Sequence, residues 1–115
     1  EYEAPLEVVS CFVNLWPDAL KKKDLGQNTP LHLELKDRKD LDVVSLLVDR
    51  WPGVLREIDK DGHTPLHVAC LFGASLEVIA LLVNRFPDAL EMTDTGYNIP
   101  LHLACESRAP LEIVS

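Results

Sequence analysis

The chain has 115 residues, 47% of them hydrophobic and 26% charged, the length and composition of one soluble domain with enough apolar material for a core. Its formal net charge of -8 would repel a phosphate backbone at long range, which argues against nucleic acid as a partner, and no run nears the ~18 apolar residues of a membrane span. Three cysteines behind an N-terminus Glu1-Tyr2-Glu3 without signal-peptide character fit a reducing cytoplasmic or nuclear setting better than a disulfide framework.

From the N-terminus, apolar positions from about Pro5 to Leu15 predict a helix, closed at Trp16-Pro17 because the residue before a proline is pushed out of the helical region. Lys21-Lys22-Lys23, followed at once by Asp24, reads as a solvated loop rather than a basic domain. Then comes Pro30-Leu31-His32, which returns every thirty-five residues as Pro65-Leu66-His67 and Pro100-Leu101-His102. Trp16-Pro17-Asp18-Ala19-Leu20 returns as Trp51-Pro52-Gly53-Val54-Leu55 and Phe86-Pro87-Asp88-Ala89-Leu90 at the same spacing. Leu6-Glu7-Val8-Val9 returns as Leu41-Asp42-Val43-Val44, Leu76-Glu77-Val78-Ile79 and Leu111-Glu112-Ile113-Val114, and Asp24, Asp59 and Asp94 keep step.

Within the middle unit, Asp59-Lys60-Asp61-Gly62 is a turn signal that suits a protruding hairpin-like loop. A first helix opens at Thr64-Pro65, where threonine can cap and proline needs no donor, and stops near Gly73. A second runs from about Ser75 through Leu76, Val78, Ile79, Leu81 and Leu82 until Pro87 ends it. A two-helix unit this small cannot bury its own apolar face, so the prediction is an all-α solenoid of stacked helix-turn-helix repeats. Its units are a partial repeat at 1–23, full repeats at 24–58 and 59–93, and a partial repeat at 94–115, all in one domain.

The stretch Asp59-Lys60-Asp61-Gly62-His63-Thr64-Pro65-Leu66-His67-Val68-Ala69-Cys70, with Gly73, Leu76-Glu77-Val78-Ile79 and Leu81-Leu82, closely resembles the ankyrin repeat, and the resemblance covers essentially the whole chain. The usual ankyrin period is ~33 residues, so each unit carries two extra, one near Ala74-Ser75 and one near Phe86-Pro87. A longer loop after each second helix is expected there, with an aromatic-proline stop in place of a glycine cap. Leu25-Gly26-Gln27-Asn28 and Thr95-Gly96-Tyr97-Asn98 shift the glycine by one position, so their finger turns are expected to differ from the turn at Gly62. Glu34-Leu35 replaces Ala69-Cys70 and Arg38 replaces Gly73, which makes the packing of the first full repeat hardest to foresee.

His32, His67 and His102 stand on equivalent helices, roughly 8–10 Å apart when stacked, too far to share one zinc. The resemblance implies that these histidines hydrogen-bond backbone within and between repeats. Cys70 and Cys105, on equivalent first helices, are too far apart for a disulfide and read as small buried hydrophobes; Cys11, where Leu46 and Leu81 later sit, reads as core. Trp16, Trp51 and Phe86 form an aromatic column expected to pack over the ends of the second helices. No phosphate loop, nucleophile elbow, metal-ligand pattern or carboxylate pair argues for an enzyme, a cofactor or a metal site.

The resemblance implies a protein partner held on a concave surface of finger turns and first helices. Carried over by position, that surface takes in Leu25, Gln27, Asn28, Lys36 and Asp37, then Lys60, Asp61, His63, Leu71 and Phe72, then Thr95, Tyr97, Asn98, Glu106 and Ser107. Its expected centre is Leu71-Phe72 with His63 and Tyr97, because Lys36-Asp37 and Glu106-Ser107 hold the same places as that apolar pair. The alternative for Phe72 is to fold back onto the core beside Gly73. Neither end shows a polar capping repeat, so the competing reading is an internal scaffold segment of a longer array that self-associates end to end. A designed repeat is a third reading, opposed by the irregular Glu34-Leu35, Arg38 and shifted glycines.

Overall fold

The computed structural model describes residues 6–106, and within them the chain forms six α-helices and three short 3-10 helices, with no strand. α1 (Leu6–Leu15), α3 (Leu41–Arg50) and α5 (Leu76–Arg85) are the second helices of successive units, and α2 (Pro30–Lys36), α4 (Pro65–Leu71) and α6 (Pro100–Glu106) the first helices. Leu31, Leu35, Val44, Val48, Val68, Val78 and Leu82 are fully buried between them and make one continuous core.

Where the sequence suggests only a longer loop, the chain winds into a 3-10 helix after each second helix: Pro17–Lys21, Pro52–Arg56 and Pro87–Glu91. Proline at the first position needs no donor and brings a suitable φ. The Ala19, Val54 and Ala89 N–H groups then donate to the carbonyls of Trp16, Trp51 and Phe86 at 2.9, 3.0 and 3.2 Å. The second helices are capped in turn: Asp40 Oδ1 accepts from the Asp42 and Val43 N–H groups and Ser75 Oγ from Val78.

The first helices are held at their starts by threonine and histidine together. Thr64 Oγ1 accepts the His67 N–H at 3.3 Å while His67 Nδ1 accepts the Thr64 N–H at 3.2 Å, a capping box with histidine at the third position. Thr29 and His32 repeat it. With Nδ1 accepting, the proton belongs on Nε2, and that N–H donates to a carbonyl of the next unit: His32 to His63 at 3.0 Å, His67 to Asn98 at 2.9 Å. In the last unit Ile99 takes threonine's place; its N–H still reaches His102 Nδ1 at 3.1 Å, but no hydroxyl returns the bond.

The irregular first full repeat packs well. Leu35 is wholly buried, and the half-buried Glu34 turns its carboxylate to the Asp40 N–H at 3.1 Å, at the start of α3. The bond that closes α4, Ala74 N–H to the Ala69 carbonyl at 2.9 Å, recurs as Lys39 to Glu34 at 2.8 Å. The left-handed residue moves from Gly73 to Lys39, one place later than Arg38.

Other expectations are corrected. Cys70 is buried, but Cys11 and Cys105 are exposed, because no described helix covers the outer side of α1 or of α6. The aromatic column is graded from exposed Trp16 through half-buried Trp51 to buried Phe86, with Lys21 over the Trp51 ring at 5.7 Å and Arg56 closer over the Phe86 ring at 4.6 Å. Lys21-Lys22-Lys23 is more than a solvated loop. Lys21 lies over the Trp51 ring, Lys22 over Trp16, and Lys23 reaches both the Ile58 carbonyl at 3.0 Å and Glu57 at 3.2 Å.

Candidate functional site

The finger loops share one construction. In each, an aspartate oxygen accepts two N–H groups of its own turn: Asp24 Oδ1 from Gly26 and Asn28, Asp59 Oδ1 from Asp61 and His63, Asp94 Oδ1 from Gly96 and Asn98, all at 2.8–3.0 Å. The turns do not differ as the shifted glycines suggest. The left-handed position is Gln27 (φ 65), Gly62 (φ 78) and Tyr97 (φ 65), so two side chains accept a conformation that glycine takes freely. Consecutive fingers are zipped together, with Lys60 N–H on the Gly26 carbonyl at 3.0 Å and Thr95 N–H on the Asp61 carbonyl at 3.1 Å.

At the base of the fingers His63 bridges two units. Its Nε2 lies 3.1 Å from Asp94 Oδ2, its Nδ1 3.6 Å from Asp59 Oδ2, and its ring stacks on His67 at 5.8 Å between centroids. Lys36, which donates to Asn28 Oδ1 at 2.7 Å, places its ammonium 3.3 Å from the same Asp59 oxygen. Burial pushes the Asp59 and Asp94 carboxyls up, but the N–H groups of their own turns and the nearby His63 outweigh it and hold both below the ordinary carboxylate value. His32 and His67 shift down because burial disfavours the imidazolium. Asp59, Asp61 and His63 also bring one ligand-type atom each within 4.8 Å of one another. Asp59 Oδ2 is buried without a well-aligned hydrogen bond, and the Lys36 ammonium already supplies the positive charge beside it. The cluster is a clasp between repeats.

The residues expected to meet a partner therefore fall into two sets. Asn28, Lys36, His63 and Asn98 are half-buried and engaged in the finger network, and Leu71 packs half-buried against the core. Asp37, Lys60, Asp61, Phe72, Tyr97 and Glu106 are exposed, as are Leu25, Gln27 and Thr95. Phe72 is 41% exposed, Tyr97 83% and Leu25 fully so, which places Phe72 at the surface rather than folded into the core. Ser107 lies outside the described residues. Sequence reasoning passed over the Asp59–His63–Asp94 bridge; the thirty-five-residue aspartate period was visible, but nothing linear says that His63 reaches the following aspartate.

No helix among the described residues is long and apolar enough to cross a membrane. No curated protein matches the chain. A family model described as ankyrin repeats (3 copies) matches residues 3–93 and again 37–115, which together take in nearly the whole sequence. With its stacked two-helix units, its Thr-Pro-opened first helices and its hydrogen-bonded fingers, the chain belongs to the ankyrin repeat family.

Proposed function

We propose that the chain is a non-catalytic module that holds a protein partner on its fingers and first helices. Ankyrin repeats are in general protein–protein interaction modules. One observation carries the reading here: Leu25, Phe72 and Tyr97 stay exposed on finger turns and a first-helix end, on a framework whose fingers are hydrogen-bonded to one another. Exposed aromatics on a rigid scaffold lose little entropy on binding and are the side chains most enriched at interface centres. The proposed surface is centred on Phe72, Tyr97 and His63 beside Leu71, rimmed by Lys36, Asp37, Lys60, Asp61 and Glu106, with Asn28 and Asn98 at its margins. The setting fits a cytoplasmic or nuclear protein.

The test is a capture experiment comparing wild type with Phe72→Ser/Tyr97→Ser, both shown to melt alike. A Leu90→Ser variant outside this face serves as control. Loss of captured proteins with the first variant and retention with the control is the expected result; equal capture by all three would sink the location. A second reading is self-association of the repeats end to end. Molar mass rising with concentration in light scattering would favour it.

A further inference from the structure

Two clefts recur at successive unit boundaries, and none of their lining residues belongs to the face proposed above. The first, of about 250 Å³, is lined in part by Lys21, Arg50 and Trp51; the second, of about 210 Å³, by Arg56, Arg85 and Phe86, the same positions one repeat later. Each has an aromatic wall with a cation laid over it: Lys21 Nζ is 5.7 Å from the Trp51 ring centre, and Arg56 Cζ 4.6 Å from that of Phe86. A stacked cation is already restricted, so it loses less freedom when it binds an anion.

The other cation of each cleft is only weakly satisfied. Arg50 donates to a neutral amide oxygen, Asn14 Oδ1, at 2.8 Å. Arg85 meets Asp49 at 2.6 Å, but their side chains are 40% and 53% exposed, and an exposed pair of that kind has little net strength against a better anion. Asp18 stands in the lining of the first cleft, whereas its counterpart in the second is Gly53. The second lining thus carries two positive charges and no negative one. Both volumes are below the roughly 300 Å³ at which pockets begin to enclose a drug-sized ligand, so what fits is a single anionic head group.

We propose that the Arg56–Arg85–Phe86 cleft binds a phosphate monoester group, with the Lys21–Arg50–Trp51 cleft as a weaker second site. A phosphate monoester carries about -1.5 to -2 charge near neutral pH, enough to engage Arg56 and to compete with the single carboxylate of Asp49 for Arg85, and guanidinium forks suit its oxygens. A carboxylate, with one charge, has no such advantage over Asp49.

The experiment is an NMR titration of the isotopically labelled protein with phenyl phosphate, and in parallel with benzoate, at one ionic strength near 0.15 M. The Gly53 amide and the Trp51 indole N–H report, since Trp51 Nε1 lies 3.0 Å from where a side chain on Gly53 would begin. Saturable shifts with phenyl phosphate, an apparent Kd on the order of millimolar, and binding several-fold weaker for benzoate are expected. Arg85→Gln, at an exposed position whose loss leaves the cation–ring contacts intact, is expected to weaken phenyl phosphate roughly fivefold with little change in melting temperature. Absence of saturable shifts, equal affinity for benzoate, or indifference to Arg85→Gln would each overturn the proposal and leave the cations as ties between repeats.

Discussion

Gln27 and Tyr97 hold the left-handed conformation that Gly62 holds without strain, at a cost of about 1–2 kcal/mol each, partly offset by the freedom a glycine would lose on folding. Gln27→Gly is therefore expected to raise stability by about 0.5–1 kcal/mol in denaturant unfolding. Gly62→Ala is expected to lower it by about 1–3 kcal/mol, because its Cβ would stand 2.9 Å from the Thr95 nitrogen as well as at φ 78. Equal stability of the two variants would contradict this account of the turns. The buried histidines set the pH dependence. His32 and His67 have folded pKa values below the unfolded value near 6.5, so the unfolded chain takes up more protons and their contribution, present above about pH 6.5, is lost as pH falls toward the folded values. Thermal melts are expected to shift down between pH 7.5 and pH 5, and the shift should shrink in His32→Gln/His67→Gln. Asp59 and Asp94 act lower, contributing above their ordinary value near 3.8 and losing that contribution as pH drops through their depressed folded values.

Helices were legible in the sequence because their punctuation is chemical: Thr-Pro openings, a glycine after α4 and Pro17, Pro52 and Pro87 after the second helices each act through one residue's backbone. What the sequence left unread depends on the neighbouring unit. The 3-10 helices hide in what looks like surplus loop, and the exposure of Cys11 and Cys105 is decided by whether another helix lies alongside, not by the residue or its period. The same reasoning explains the candidate site: Tyr97 and Leu25 could be placed on the surface by position, Phe72 was open between surface and core until its 41% exposure decided it, and His63, Lys36 and Asn28 turned inward to a clasp whose partners lie up to 31 residues away. At α6 the capping box lacks its hydroxyl, so Ile99→Thr should supply it. A gain of about 0.5–1 kcal/mol, read from denaturant unfolding, is expected; no gain would mean that the half-buried Ile99 side chain contributes as much by packing.

Across the whole molecule, ties at a spacing near one repeat run along the stack: His32 to His63, His67 to Asn98, Lys23 to Ile58, Arg56 over Phe86. Units joined so closely are expected to unfold together, giving coincident transitions by tryptophan fluorescence and far-ultraviolet circular dichroism. That rigidity leaves the exposed finger side chains as a preorganised surface, which is the centre of the functional account. Hydrogen exchange on the protein with and without a captured partner tests it most directly. Protection concentrated in the fingers at 25–28, 60–63 and 95–98 and at the end of α4 is the predicted result; protection confined to the second helices α3 and α5 would contradict it.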